Sequence, residues 1–391
     1  MIAYNTTWLD NLLVQQETDK ALRHQTIGPE EAQAIKTRYP VGFYTPNLFI
    51  RIAFFLLTVV IVSFTLGILS LLFIGGGGLV EWGIVVLLLG LFVYIALEFF
   101  IKSKHHYRSG IDDALLWLSA GFLLIGVNAI HGLSYTANAI LLLIVTLYLS
   151  LRFANAVMSL AATIFLLAVI FLLYIKLGAV AKATTPFLML LVCGGLYAGL
   201  QQAARRTEWK HYSFCCTLCT IVVLVCFYLA GNYYAVREAS NAMFDLHLRE
   251  GQGIPAGWFF WIWTLTIPVV YIFRGIQKKD PLLLRVGLLL IAALVFTIRT
   301  YYHLLPIETA MVAGGLVLLV TAYSLMRYLK TPRHGFTAKQ ADDPHFMDKL
   351  QVESLIIAET FHPAPPATPT PESGFSFGGG SGSGGGASGG F

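Results

Sequence analysis

Few residues in this chain are equipped for chemistry, and most of them stand at the edges of long apolar blocks. Glu81 opens one block, His131 (preceded by Asn128) ends another, Arg299 and His303 close a third, and Glu308 opens a fourth. An imidazole oriented by a carboxylate suits acid–base work, and a guanidinium suits an anion. Gathered in one place, Glu81, His131, Arg299, His303 and Glu308 would form a polar vestibule for a ligand. Kept apart, they are ordinary helix ends, where water and headgroups solvate charge readily.

Within the blocks the harvest is smaller. Glu98 precedes Lys102 by four residues, the favourable order for a helical ion pair, and Lys102 can reach the interface along its own stem. Arg285 lies one turn after Asp280 and can pair with it or snorkel. Cys193, Cys215, Cys216, Cys219 and Cys226 all fall among Val, Leu and Phe. With no nearby His or second CxxC, they read as small packing residues, and no metal site is expected. HExxH, GxSxG and Walker patterns are missing, so no cofactor is expected and enzyme chemistry is the least supported class. Gly75–Gly78 lacks the Lys-Ser/Thr of a phosphate loop and reads as a turn.

The elements that must position these residues follow from composition. Hydrophobic residues make up 57% of the 391 and charged residues only 12%, against about 25% charged in soluble chains. The apolar residues gather in blocks of about 20, the length that crosses a hydrocarbon core. A soluble enzyme, a nucleic-acid binder and a disordered regulator are excluded as whole-chain readings. The expected fold is all-α: a polytopic integral membrane helix bundle of about ten spans, with the lipid bilayer as its main partner and no nucleic acid. The spans run near 48–74, 79–101, 112–132, 137–151, 156–176, 184–202, 213–233, 256–274, 282–299 and 307–328. Segment 137–176 as one helix would be about 60 Å long, twice the core thickness, so Arg152 and Asn155 are expected to mark a turn within it.

Charge sets the expected orientation. With the N-terminus in the cytosol, 21 of the 26 Lys and Arg lie on the inner side; Lys176, Lys182, Arg237, Arg249 and Arg299 lie outside. The net charge of +5 is explained by this bias rather than by an acidic partner. Trp258, Trp261 and Trp263 at the outer end of the eighth span, with Tyr233, Tyr234, Tyr301 and Tyr302, read as an interfacial aromatic belt.

Three regions result: a cytosolic amphipathic helical hairpin over 1–46, the bundle over 47–330, and a cytosolic tail over 331–391. In the hairpin, Gly28-Pro29-Glu30-Glu31 stops one helix and starts the next. No cleavable signal peptide is read in the polar first 46 residues. The tail carries a candidate short helix over 342–361, a Pro-rich linker and a Gly/Ser-rich end read as disordered. Hairpin and tail are the places where a protein partner would be recruited.

The segment Ile27-Gly28-Pro29-Glu30-Glu31-Ala32-Gln33-Ala34-Ile35 before a long array of spans resembles a bacterial family of multi-span membrane proteins of unknown function. Asp280-Pro281-Leu282-Leu283-Leu284-Arg285-Val286-Gly287 and the glycine-rich tail with its final aromatic look like membrane proteins of Bacteroidetes. The resemblance implies a bacterial inner membrane and carries over no activity and no site residue; the charge bias and the even span count put both termini in the cytosol. Three function classes stay open: passage of a small solute or lipid, favoured because little mass lies outside the spans; a membrane scaffold or sensor working through hairpin and tail; and a membrane-embedded enzyme using the outer polar set.

Overall fold

The computed structural model describes residues 2–71, 78–244, 253–278, 280–302 and 307–329. The protein is an all-α polytopic helix bundle. The hairpin is α1 (Thr6–Arg23) and α2 (Pro29–Arg38). Then come α3 (Leu48–Leu71), α4 (Leu79–Lys104), α5 (Ile111–His131), α6 (Tyr135–Phe153), α7 (Ala156–Ile175) and α8 (Ala179–Ala204). A 3₁₀ turn (Thr207–Tyr212) leads into α9 (Ser213–Gly231), followed by α10 (Tyr233–Phe244), α11 (Gly257–Lys278), α12 (Pro281–Tyr302) and α13 (Ile307–Leu329). Among the described residues, 9 helices are long and apolar enough to cross a membrane. The tenth expected span falls on α13, a helix of 23 residues.

Local chemistry sets the boundaries. Asn5 accepts the N–H groups of Thr7 and Trp8 at 3.0 and 3.3 Å and so starts α1. Pro29 opens α2, and the Gly28 N–H donates to the Glu31 carboxylate at 2.9 Å, a one-sided cap that realises the stop and restart read from the sequence. The turn expected between the fourth and fifth spans is present: Ala154 takes a left-handed φ of 46° and Asn155 accepts from Val157 and Met158 at 3.0 and 3.1 Å. Two boundaries differ from expectation. The sixth span, Thr184–Ala204, starts where expected, but its helix begins a turn earlier, at Ala179, and carries Pro186 within it. The seventh ends at Gly231, and Tyr233 and Tyr234 open α10 rather than closing α9; Asn232 turns extended there and its side chain caps the new helix through the Ala235 N–H at 3.0 Å. Of the turn expected at Gly75–Gly78 only Gly78, which precedes α4, is described; residues 72–77 and the tail from 330 onward lie outside the described residues.

Close helix pairs organise the bundle. Helices α4 and α5 meet through glycines: a Cβ on Gly126 would stand 2.7 Å from the Cβ of Leu87, and one on Gly83 2.8 Å from that of Ala129. In lipid, where tails are as apolar as leucine, such close backbone approach supplies the dispersion contact that holds helices together. The pair α11 and α12 repeats the device at Gly275 against Leu284 and at Gly287 against Ile272. Helix α7 packs on both α6 and α9, joining the two halves. Helix α3, by contrast, buries no residue. Its first turns rest on Gly110, whose φ of +94° and bare Cα let the Arg51 carbonyl lie against it.

The hairpin is seated on one end of the bundle. The Ala3 N–H donates to the Arg152 carbonyl at 2.8 Å, and the Tyr44 N–H to the His105 carbonyl at 3.0 Å. Tyr4, Trp8, Phe43 and Tyr107 form an aromatic cluster over the α4–α5 turn. Asp10 of α1 binds Lys210 at 2.7 Å. The starts of α3, α5, α7, α9 and α12 and the ends of α4, α6, α8 and α11 therefore share this hairpin end.

Candidate functional site

The five polar residues singled out in the sequence do not form one cluster among the described residues. Glu81 and His131 stand at the far end of the α4–α5 pair, both exposed, with no hydrogen bond or ion pair joining them. The Glu81 carboxylate folds back over Gly78 at the start of its own helix, where the helix dipole favours it. Arg299 is on α12, which packs on α9, α11 and α13 rather than on α4 or α5. Its Nε is buried and has no hydrogen-bond partner among the described residues. His303 lies outside the described residues, and Glu308 is in the first turn of α13, its side chain outside them.

The far end is polar for a structural reason. Asn232 donates to the Tyr228 hydroxyl at 3.0 Å and to Thr297 at 3.1 Å, tying α9 to α12. Arg237 of α10 lies over the Tyr301 ring, 5.4 Å from its centre. Trp258 is 70% exposed, as a belt residue should be, but Trp261 stacks on Tyr233 and Trp263 packs against Gly231.

The charge pair expected in the second span is present and larger than anticipated. Glu98 binds Lys102 at 2.7 Å and also takes a two-pronged contact from Arg152 of α6, at 2.8 and 3.0 Å. The Tyr94 hydroxyl donates to the same carboxylate at 3.1 Å. Arg152, read from sequence only as a turn marker, is thus the strut between α4 and α6. Asp280 caps α12 through the N–H groups of Leu282 and Leu283 at 2.9 and 3.4 Å, and Arg285 is exposed without an ion pair among the described residues. The cysteines are free; Cys215 and Cys219 donate to the carbonyls of Ala154 and Ser159.

The concentration of polar groups that faces open space is at the hairpin end. A cavity of about 440 Å³ lies between the first turns of α3, the start of α5 and the α6–α7 turn, with Phe214 of α9 at one edge. Its polar lining is Arg51, Arg108, Asp112, Asp113 and Asn155, with the phenols of Tyr4 and Tyr107. Its apolar lining includes Ile52, Leu56 and Trp117, which are exposed on the lipid-facing side.

Each carboxylate here is already engaged. Asp112 accepts the N–H groups of Arg108 and Ser109 at 2.7 and 2.8 Å and the Ser109 hydroxyl at 3.0 Å. This locks the turn that enters α5, and the Tyr4 hydroxyl approaches the same group at 3.5 Å. Asp113 is held by Arg51 at 2.5 Å and by the Asn155 amide at 3.3 Å. Burial, reinforced by Asp112 and Asp113, raises the Tyr4 phenol well above its ordinary range, so it stays a donor. Burial likewise raises Tyr107. His106, on the same turn, is pushed down by burial and by Lys104, against the pull of Asp112. Arg108 differs from its neighbours. It is exposed, lies over the Tyr107 ring at 5.5 Å, and makes no ion pair among the described residues. Arg51 and Asn155 donate to Asp113 and Tyr4 to Asp112, so among the described residues Arg108 is the cavity's one cation without an ion pair.

Sequence reasoning placed Arg51, Arg108 and Asn155 only as inner cations and a turn. Their convergence depends on α3 resting on Gly110 at the start of α5 and on the Asn155 amide reaching Asp113, contacts between segments far apart in sequence. Comparison of the chain with family models, curated proteins and solved structures gives no match in any of the three.

Proposed function

We propose that the protein belongs to the transport class and that it binds the acidic head of a membrane amphiphile in the hairpin-end cavity. The observation that carries this reading is the meeting, in one cavity, of Arg108, a guanidinium without an ion pair among the described residues, with side chains that face lipid. A phospholipid has the matching division: an anionic head for a guanidinium and tails for the flank of a helix. The peripheral seat of α3, which buries no residue, leaves this side of the cavity next to the bilayer.

The reading includes an orientation: hairpin end and both termini in the cytosol, in a bacterial inner membrane. Its support is the crowd of cations at that end, including Lys102, Lys104, Arg108, Arg205, Arg206 and Lys210, which the positive-inside rule assigns to the cytosolic face. The family resemblance of the hairpin supports the bacterial setting. Recruitment of a protein partner by the hairpin is the weaker reading, because Trp8 and Phe43 already use its apolar side against the bundle.

The test is stabilisation of the purified full chain by phosphatidylglycerol against phosphatidylcholine. A ligand at about 100 times its Kd raises folding stability by about 2.7 kcal/mol. Phosphatidylglycerol should raise the unfolding midpoint, phosphatidylcholine should not, and Arg108→Ala should remove the difference. Equal effects of both lipids on the wild-type protein would overturn the proposal.

A further inference from the structure

A second cavity, unconnected with Arg108, lies between α8, α9 and α11, with Leu283 of α12 at its edge. Its volume is about 270 Å³, and its walls are mostly apolar (Cys193 and Gly194 of α8, Val223 and Phe227 of α9, Val270 of α11), with the phenols of Tyr197 and Tyr271 among them. The floor is closed by a buried cluster of Leu167, Cys193 and Val223, the last two fully buried. Gly194 sets the width: a Cβ there would meet only the Phe227 ring, at 3.9 Å. At the mouth stand Arg274 and Lys278, one turn apart on α11. Both are exposed, and neither has an ion pair among the described residues. Asp280 caps the start of α12 by accepting two backbone N–H groups, and its charge, like that of Arg274, is close enough to act on Tyr197 in the cavity wall.

We infer that this slot takes a single-chain amphiphile with an anionic head, its chain in the apolar slot and its carboxylate or phosphate on Arg274 and Lys278. The chain alone does not select the slot, because an alkyl tail in the bilayer is already surrounded by apolar neighbours and gains little by moving. Selection comes from the head. Two like charges one turn apart repel each other, and a shared anion relieves that while gaining charge-assisted hydrogen bonds. The volume limits the guest: it lies just under the roughly 300–1,000 Å³ of pockets that enclose drug-sized ligands, so it seats the head-proximal part of one chain and not two chains.

The experiment uses the purified full chain in a neutral detergent. Hexadecanoate, lysophosphatidylglycerol and lysophosphatidylcholine are added separately, with bound mass read by native mass spectrometry and stability by thermal unfolding. At least one of the two anions should bind one-to-one and raise the unfolding midpoint, with the zwitterionic lysolipid at least tenfold weaker. Which anion binds identifies the head as carboxylate, phosphate or both. The double variant Arg274→Gln/Lys278→Gln should weaken that binding at least tenfold. Gly194→Leu, which fills the slot, should abolish it; should that variant misfold, the charge variant carries the test, since its changes are at exposed positions. Each measurement is made in an Arg108→Ala background, which removes any contribution of the cavity proposed above and in which the one-to-one binding at Arg274 and Lys278 should persist. Anion binding undiminished in the charge variant, equal binding of lysophosphatidylcholine, or no binding of either anion would overturn the inference.

Discussion

The contact between Glu98 and Arg152 can be tested quantitatively. The two side chains are 15% and 23% exposed, and they meet through two hydrogen bonds of 2.8 and 3.0 Å. Breaking a fully buried pair by deleting one partner costs about 3–5 kcal/mol, whereas an exposed pair contributes about 0–1 kcal/mol. This pair lies between those limits, and the two deletions are not equivalent. Arg152→Gln leaves Glu98 with Lys102 at 2.7 Å and the Tyr94 hydroxyl at 3.1 Å, so its cost should be near 1 kcal/mol. Glu98→Gln takes the carboxylate from Arg152 and Lys102 together. Lys102, with a side chain 58% exposed, can turn to the interface, but Arg152 is the more enclosed cation. That variant should lose about 2–3 kcal/mol. The assay is equilibrium unfolding in mixed micelles of a neutral and a denaturing detergent, run as a double-mutant cycle. A coupling energy of about 1–2 kcal/mol is expected. A coupling below about 0.3 kcal/mol, or a larger loss for Arg152→Gln than for Glu98→Gln, would refute the strut.

Other expectations are as concrete. Gly126→Leu should destabilise the α4–α5 pair by about 1–3 kcal/mol or more, since even a Cβ there approaches Leu87 to 2.7 Å, while Gly121→Leu, with nothing within 4 Å, should be nearly neutral in the same unfolding assay. The His106 imidazole is held below its ordinary value, so its neutral form stabilises the seated hairpin. That contribution is complete above about pH 6.5 and is lost as pH falls further, so the protection of the Ala3 and Tyr44 amides, taken relative to their intrinsic exchange at each pH, should fall on acidification and His106→Asn should flatten the response. For orientation, a single cysteine at Ser240 should react with an impermeant thiol reagent on intact cells and one at Ser103 should not, in a background lacking the native cysteines; the opposite pattern would invert the proposed topology.

What the amino-acid sequence determined by itself is the class of fold and the positions of its spans. Both depend on local quantities. A run of about 20 apolar residues has one good solvent, and a backbone in that solvent must satisfy its own hydrogen bonds, so each run becomes a helix wherever the rest of the chain lies. The hairpin turn at Gly28-Pro29, the break at Asn155 and the Glu98–Lys102 pair were legible for the same reason, since each needs only neighbours within a turn or two. Which polar residues share a cavity is a different kind of fact. Glu81, His131 and Arg299 are alike in being helix ends, and nothing in their spacing says that the first two sit on one helix pair and the third on another. Arg152 looked like a turn residue until α6 lay beside α4. Arg51, Arg108 and Asn155 come from three separate segments and converge only because Gly110 lets α3 rest against the start of α5. Packing between helices in lipid is decided by the fit of small residues and side-chain shapes over long sequence separations. Hydropathy does not record that fit, and so the tertiary structure alone assigned the cavities.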